Sequence, residues 1–172
     1  LNFIIANVNM LMSRDNRKVT FFNVHQYVPD IHDCKFIHKP LLVWPGFNFI
    51  KSHSHYNRFY PNVIYIVRNP ADVMLSYYKF KSGLGVYSEP LSDFVRSPKN
   101  GIKNWIQHVS GWFLNSPPSL PFYLVKYEKL KHEPFKVIKD LYMQLGFELD
   151  DEIIHEALTK SSFSNMKELE KS

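Results

Sequence analysis

Arg68 follows Val63–Val67, an unbroken apolar run of the kind that forms a strand buried on both faces of a parallel sheet. Asn69 and Pro70 then read as a helix cap and a first helical position, with Asp72 three residues after the cap. An arginine at the carboxyl end of such a strand, beside a helix start, is where open α/β sheets bind anionic ligands. Helix-end geometry favours the amides of Ala71 and Asp72 as further donors, whereas Ser76, two turns in, reaches only an anion lying beside the helix. The bland alternative is a core strand with a surface arginine and a serine bonded back to its own helix. A second candidate lies upstream, where the apolar run Phe47–Ile50 leads into Lys51-Ser52-His53, a cation and a base two residues apart. A hydroxyl is a poor nucleophile until its proton is removed, and histidine titrates near neutrality. His55, two residues further on, is the obvious decoy.

Residues 63–80 resemble the nucleotide 3′-phosphate-binding segment of the sulfotransferases that use 3′-phosphoadenosine 5′-phosphosulfate (PAPS). In that family the arginine and serine matching Arg68 and Ser76 hold the 3′-phosphate. Lys51-Ser52-His53 resembles the family's Lys-Thr-His segment, which implies His53 as general base and Lys51 as stabiliser of charge on the bridging oxygen. Phe122–Leu130 resembles the family's Tyr-Glu-Asp-Leu strand end, with Lys129 replacing the aspartate, and implies Tyr127 beside the adenine. Ser161-Ser162-Phe163-Ser164-Asn165-Met166-Lys167 resembles Thr-Ser-Phe-x-x-Met-Lys, which implies Ser161 and Phe163 at the nucleotide base. Simple packing is the bland reading of Phe163 and Met166. Trp105, His108 and Trp112 share one helix face by spacing, and the family carries a similar helix near its acceptor pocket. His108 is therefore a candidate acceptor contact, although an aromatic helix stripe is more often core.

The resemblance implies a three-layer αβα fold with a central parallel sheet, of the P-loop-hydrolase-like sulfotransferase type, over residues 1–172 as one partial domain. It implies PAPS as donor, 3′,5′-adenosine bisphosphate as product, no metal, and a small-molecule acceptor bearing a hydroxyl or amine. No nucleic-acid partner and no membrane span are expected, the localisation expected is cytoplasmic, and homodimerisation is left open. The family's first strand and its phosphosulfate-binding loop would precede Leu1, and an Arg-Lys-Gly loop would follow Ser172, so the chain reads as truncated at both ends and inactive alone. Two other classes stay open. A nucleotide-kinase-like phosphotransferase usually carries a Mg²⁺ carboxylate after a strand, where Asn69-Pro70 stands here. A non-catalytic nucleotide-binding remnant would keep Arg68 and Ser76 without needing Lys51 and His53.

The elements that must position these residues read as alternating strands and helices. Leu1 to about Met12 is an apolar helix, Val19–Val24 a strand or extended run, Asp30–Pro45 irregular, and Phe47–Ser52 a strand. The helix over Asp72–Phe80 is apolar around most of its axis, so it is expected to be largely buried. A short helix is expected at Leu91–Arg96, then a strand around Tyr123 and a helix from Pro134 ending at Gly146. Another helix starts at Asp150–Asp151 and runs to about Lys160. At 172 residues, 45% hydrophobic and 16% aromatic, the chain has ample material for one core. No apolar stretch reaches the roughly 18–20 residues of a membrane span. Cys34 is the single cysteine, which excludes an internal disulfide. His25, His32, Cys34 and His38 cluster in sequence but match no regular zinc spacing. The net charge of +5 is dispersed, which suits an anionic cofactor at least as well as nucleic acid.

Overall fold

The computed structural model describes residues 1–14, 17–32 and 48–169. In chain order these form α1 (Asn2–Met12), α2 (Val24–Tyr27), β1 (Val63–Val67), α3 (Pro70–Gly83), α4 (Leu91–Arg96) and α5 (Ile102–Asn115). There follow β2 (Phe122–Lys126), α6 (Tyr127–His132), α7 (Pro134–Gln144), α8 (Asp151–Lys160) and α9 (Phe163–Leu169). They divide into two compact units, Ser54–His132 and Leu1–His53 with Glu133–Ser172. The architecture is helix-rich α/β with a small parallel sheet.

In the unit Ser54–His132, β1 and β2 pair in parallel, with Val63 opposite Phe122 and Val67 opposite Lys126. Parallel pairing requires a crossover, which α3, α4 and α5 supply. Val63 and Tyr65 are buried against Trp112 of α5, with Tyr56, Val109 and Phe122 around them. The alternate face behaves otherwise: Ile66 is 43% exposed, so burial of β1 on both faces is not observed. The sheet has two strands among the described residues, and α5 covers one face of it.

Asn69 caps α3, its side chain accepting from the Ala71 amide at 2.9 Å, and Pro70 occupies the first turn, as the sequence predicts. The expected burial of this helix is not met. Met74 is its one fully buried residue, and Leu75 and Phe80 are exposed. The helix packs against α4 and α5, which leaves the rest of its apolar girdle uncovered within the unit. On the covered side, the rings of Tyr77, Tyr78 and Tyr87 meet Phe94, which is wholly buried.

In the other unit, α1 packs on α8 and α2. Ile5, Ala6 and Met10 join Val19, Val24, Tyr27 and Val28 in one core. Val19–Val24, expected as a strand or extended run, forms no strand: it turns at 21–23 and enters α2 at Val24. Asn23 closes the turn: its side-chain oxygen accepts from the Thr20 amide at 2.7 Å, and its side-chain nitrogen donates to the Lys18 carbonyl at 2.8 Å. A side chain that satisfies the backbone locally removes the need for a ladder. Nor is Phe47–Ser52 a strand where described; Phe47 lies outside the described residues. A single parallel bridge joins Lys51 to Asp30. The Lys51 amide donates to the Pro29 carbonyl and the Ile31 amide to the Lys51 carbonyl. The next donor on that edge would be the N–H of Pro29, which proline lacks, so the ladder stops. Gly146, at φ 85°, ends α7 in the left-handed region, and Phe147 donates back to the Tyr142 carbonyl, a glycine termination that the sequence predicts.

Candidate functional site

Parallel pairing sets Val67 beside Lys126, so the residues that leave the two strands, Arg68 and Tyr127, emerge side by side. The Arg68 guanidinium lies 4.6 Å from the centre of the Tyr127 ring, a cation–π distance. One guanidinium nitrogen reaches Asp72 at 3.6 Å, one turn into α3. Its Nε is buried and has no hydrogen-bond partner among the described residues. A buried donor without an acceptor is costly, and an anion relieves it. Glu128 ties the two strand ends together by accepting the Asn69 amide proton at 2.8 Å. That bond, with the charges of Arg68 and Lys126, holds the Glu128 carboxyl below its ordinary range. Ser76 is exposed on α3, one turn beyond Asp72 and on the same helix face.

His108 sits in the middle of α5, with its two ring nitrogens engaged. Nε2 lies 2.9 Å from the Ser54 carbonyl, and a carbonyl only accepts, so Nε2 carries the proton. In the neutral ring, Nδ1 then accepts from the Tyr65 hydroxyl, 2.9 Å away. Burial pushes the Tyr65 phenol up to about 12. Trp112 donates from Nε1 to the same Ser54 carbonyl at 3.2 Å. The Trp105–Trp112 stripe thus contributes core packing through Trp112 and a hydrogen-bonded framework through His108.

Lys51 and His53 belong to the other unit. The Lys51 ammonium is 2.7 Å from the Asp30 carboxylate, and the other carboxylate oxygen accepts the His32 amide at 3.0 Å. Burial works to raise the Asp30 carboxyl, but these hydrogen bonds and the charges of Lys51 and His53 outweigh it and hold it low. The His53 ring lies 6.5 Å from that of His32, nearly parallel, and is still open to solvent. Partial burial lowers the proton affinity of His53; the Lys51 and His32 charges add to this, and Asp30 opposes it. A histidine held below its ordinary value is unprotonated at neutral pH, as a general base must be.

Ser161 ends α8, and its hydroxyl accepts from the Asn7 side chain of α1 at 3.0 Å. Phe163 opens α9 and is 83% exposed. Packing therefore does not account for Phe163.

Of the residues singled out from sequence, Arg68 and Tyr127 meet, and Lys51 and His53 share a segment whose lysine is paired with Asp30 of another. Sequence reasoning missed Asp30, His32, Glu128, Tyr65 and Asn7. Glu128 was within reach, since it follows Tyr127 directly. Asp30 and His32 had no periodic pattern to betray them, and His32 figured only in the histidine–cysteine cluster. Two of that cluster, Cys34 and His38, lie outside the described residues. Among the described residues no group of three or more side chains is placed to hold a metal, and no helix is long and apolar enough to cross a membrane.

The sulfotransferase domain family matches residues 1–172. Sulfotransferase 2A1 of Homo sapiens is 30% identical over 136 residues, covering 76% of this chain and 45% of that protein. Sulfotransferase 1A1 of Rattus norvegicus is 33% identical over 111 residues, 62% of this chain and 38% of that protein. The 3-beta-hydroxysteroid sulfotransferase of Cavia porcellus is 31% identical over 140 residues, 78% of this chain and 46% of that protein. The chain thus spans less than half the length of these curated relatives. Matched along all of its residues, the chain belongs to the sulfotransferase domain family.

Proposed function

We propose that the whole protein transfers a sulfuryl group from PAPS to a hydroxyl or amine of a small-molecule acceptor. The observation that carries this reading is Arg68 at the end of β1, laid against Tyr127 with a buried, unpartnered Nε. Such an arginine fits a phosphate, and the exposed Ser76 hydroxyl on the adjoining helix face fits the same anion. Tyr127 would flank the adenine, with Ser161 and Phe163 as further nucleotide contacts, Phe163 through its exposed ring. The bound donor supplies an activated sulfuryl group on a phosphate leaving group. His53 takes the proton that the acceptor loses as its oxygen bonds to sulfur, and Lys51 offsets charge on the oxygen released. His108 is the residue proposed to lie near the acceptor. No metal is part of this chemistry.

The reading treats residues 1–172 as one domain, because the family match runs through both units. A phosphotransferase is not favoured, since that match and the relatives' names are those of sulfotransferases. A cytoplasmic enzyme accords with relatives of this kind. One relative is named for a 3-beta-hydroxysteroid, so hydroxysteroids head the acceptor panel. The test is conversion of PAPS to 3′,5′-adenosine bisphosphate by the full-length protein with that panel. Binding of the bisphosphate must also exceed that of the nucleotide lacking a 3′-phosphate. Equal affinity for the two would remove Arg68 and Ser76 from the donor site.

A further inference from the structure

The bridge between Asp30 and Lys51 does more than join two segments. In a parallel pairing, partnered residues point to the same side, and residues two further along do so again. Two residues beyond the bridged pair Asp30 and Lys51, the rings of His32 and His53 also come together, 6.5 Å apart and nearly parallel. The result is a square of four side chains, two cross-segment pairs deep. Asp30 is fixed within it from two directions: one oxygen on the Lys51 ammonium at 2.7 Å, the other on the His32 amide at 3.0 Å. Its side chain is only 13% exposed and that of Lys51 31%, so the pair is partly shielded from solvent.

We propose that Asp30 is a positioning residue for the reaction centre, holding the Lys51 ammonium in place by register and ion pairing and setting a negative charge beside His53. This rests on the sulfotransferase reading for its catalytic consequence, but not for its electrostatic one. Without Asp30 a lysine on a four-carbon stem samples many rotamers, and the charge it offers to the transition state is no longer aimed. The ionisable groups facing His53 are Lys51 on its own segment and Asp30 and His32 on the opposite one. Removing the carboxylate takes away the neighbour that favours the charged ring and leaves burial and Lys51 to act against it. His53 then holds its proton less tightly, and its titration moves to lower pH.

The test is Asp30→Asn in the full-length protein, with Asp30→Glu beside it. Two measurements are made on each: the pH profile of turnover, and the titration of His53 by histidine NMR, the signal being assigned from its loss in His53→Ala. In Asp30→Asn, kcat is expected to fall about tenfold, or ~1.4 kcal/mol, with KM for PAPS little changed. The acidic limb and the His53 titration should both move to lower pH, and Asp30→Glu should restore most of each. A wild-type kcat with an unmoved His53 titration overturns the proposal. So does a loss expressed in KM alone while the titration stays put, which marks a merely structural aspartate. If His53→Ala keeps full turnover, it is the catalytic reading that has failed; the titration in Asp30→Asn, which needs no activity, then decides the pairing by itself.

Discussion

Arg68 leaves a strand that is paired to its neighbour at five successive residues, whereas His53 follows a segment joined to its partner at one. The surroundings of Arg68 are consequently built from backbone. Register delivers Tyr127 to Arg68, a capped helix begins at once, and Glu128 pins the Asn69 amide. The base–cation pair is built from side chains, with Asp30 standing in for the ladder that Pro29 cuts short. A ladder spreads its load over many bonds, so the loss of one side chain leaves the rest in place. A single bridge, held by two backbone hydrogen bonds and one ion pair, has less reserve, and neighbouring charges set its behaviour more directly.

The largest loss is expected at His53. In the full-length protein His53→Ala should lower turnover by roughly 10²–10⁴-fold, the usual contribution of a general base. Nucleotide affinity should be retained, as measured by calorimetry on the same preparation, and His55→Ala should matter far less. Turnover that survives His53→Ala would assign the base elsewhere.

A smaller effect is expected at Arg68. Arg68→Ala should weaken binding of a nucleotide 3′,5′-bisphosphate by about 1.5–3 kcal/mol, the scale of a hydrogen bond to a charged group. The nucleotide without its 3′-phosphate should lose almost nothing. A uniform loss for both ligands would mean that Arg68 supports the strand end rather than reading the phosphate.

Asn69→Ala probes whether the backbone scaffold carries the load ascribed to it. Loss of the cap on α3 should cost about 1 kcal/mol of stability, read as a lower denaturation midpoint, while the Glu128 bond to the residue-69 amide remains. An Arg68 whose affinity for the bisphosphate collapses in this variant would be held by one cap rather than by a ladder.

The smallest effect is one of pH. Burial, Lys51 and His32 together place the His53 titration below the ordinary histidine value. A base works when unprotonated, so the acidic limb of kcat/KM should lie below that value, and activity should be lost as pH falls through the lowered pKa. The same sign governs folding: the neutral ring is favoured in the native state, so stability from this group is present above the ordinary value and declines below it. A limb at or above the ordinary value would mean that Asp30 outweighs burial and Lys51 around the ring.

The sequence alone carried the elements whose signals are local. Val63–Val67 and Leu91–Arg96 stand where their apolar pattern and flanking residues put them, Asn69-Pro70 starts α3, and Gly146 ends α7. Each depends on residues within a few positions of one another, and caps, breakers and periodicity act over that range. It also carried the motifs, since Arg68, Ser76, Lys51 and His53 stand at fixed spacing along the chain. Tertiary structure decided what those residues meet. The Arg68–Tyr127 contact follows from a register between strands 59 residues apart, and the Asp30–Lys51 pair from a bridge across 21 residues. It decided, too, that α3 keeps Leu75 and Phe80 exposed despite an apolar girdle, and that Asn23 turns a β-branched run aside. Pairing and burial are properties of two segments at once, so no window along one of them holds the information.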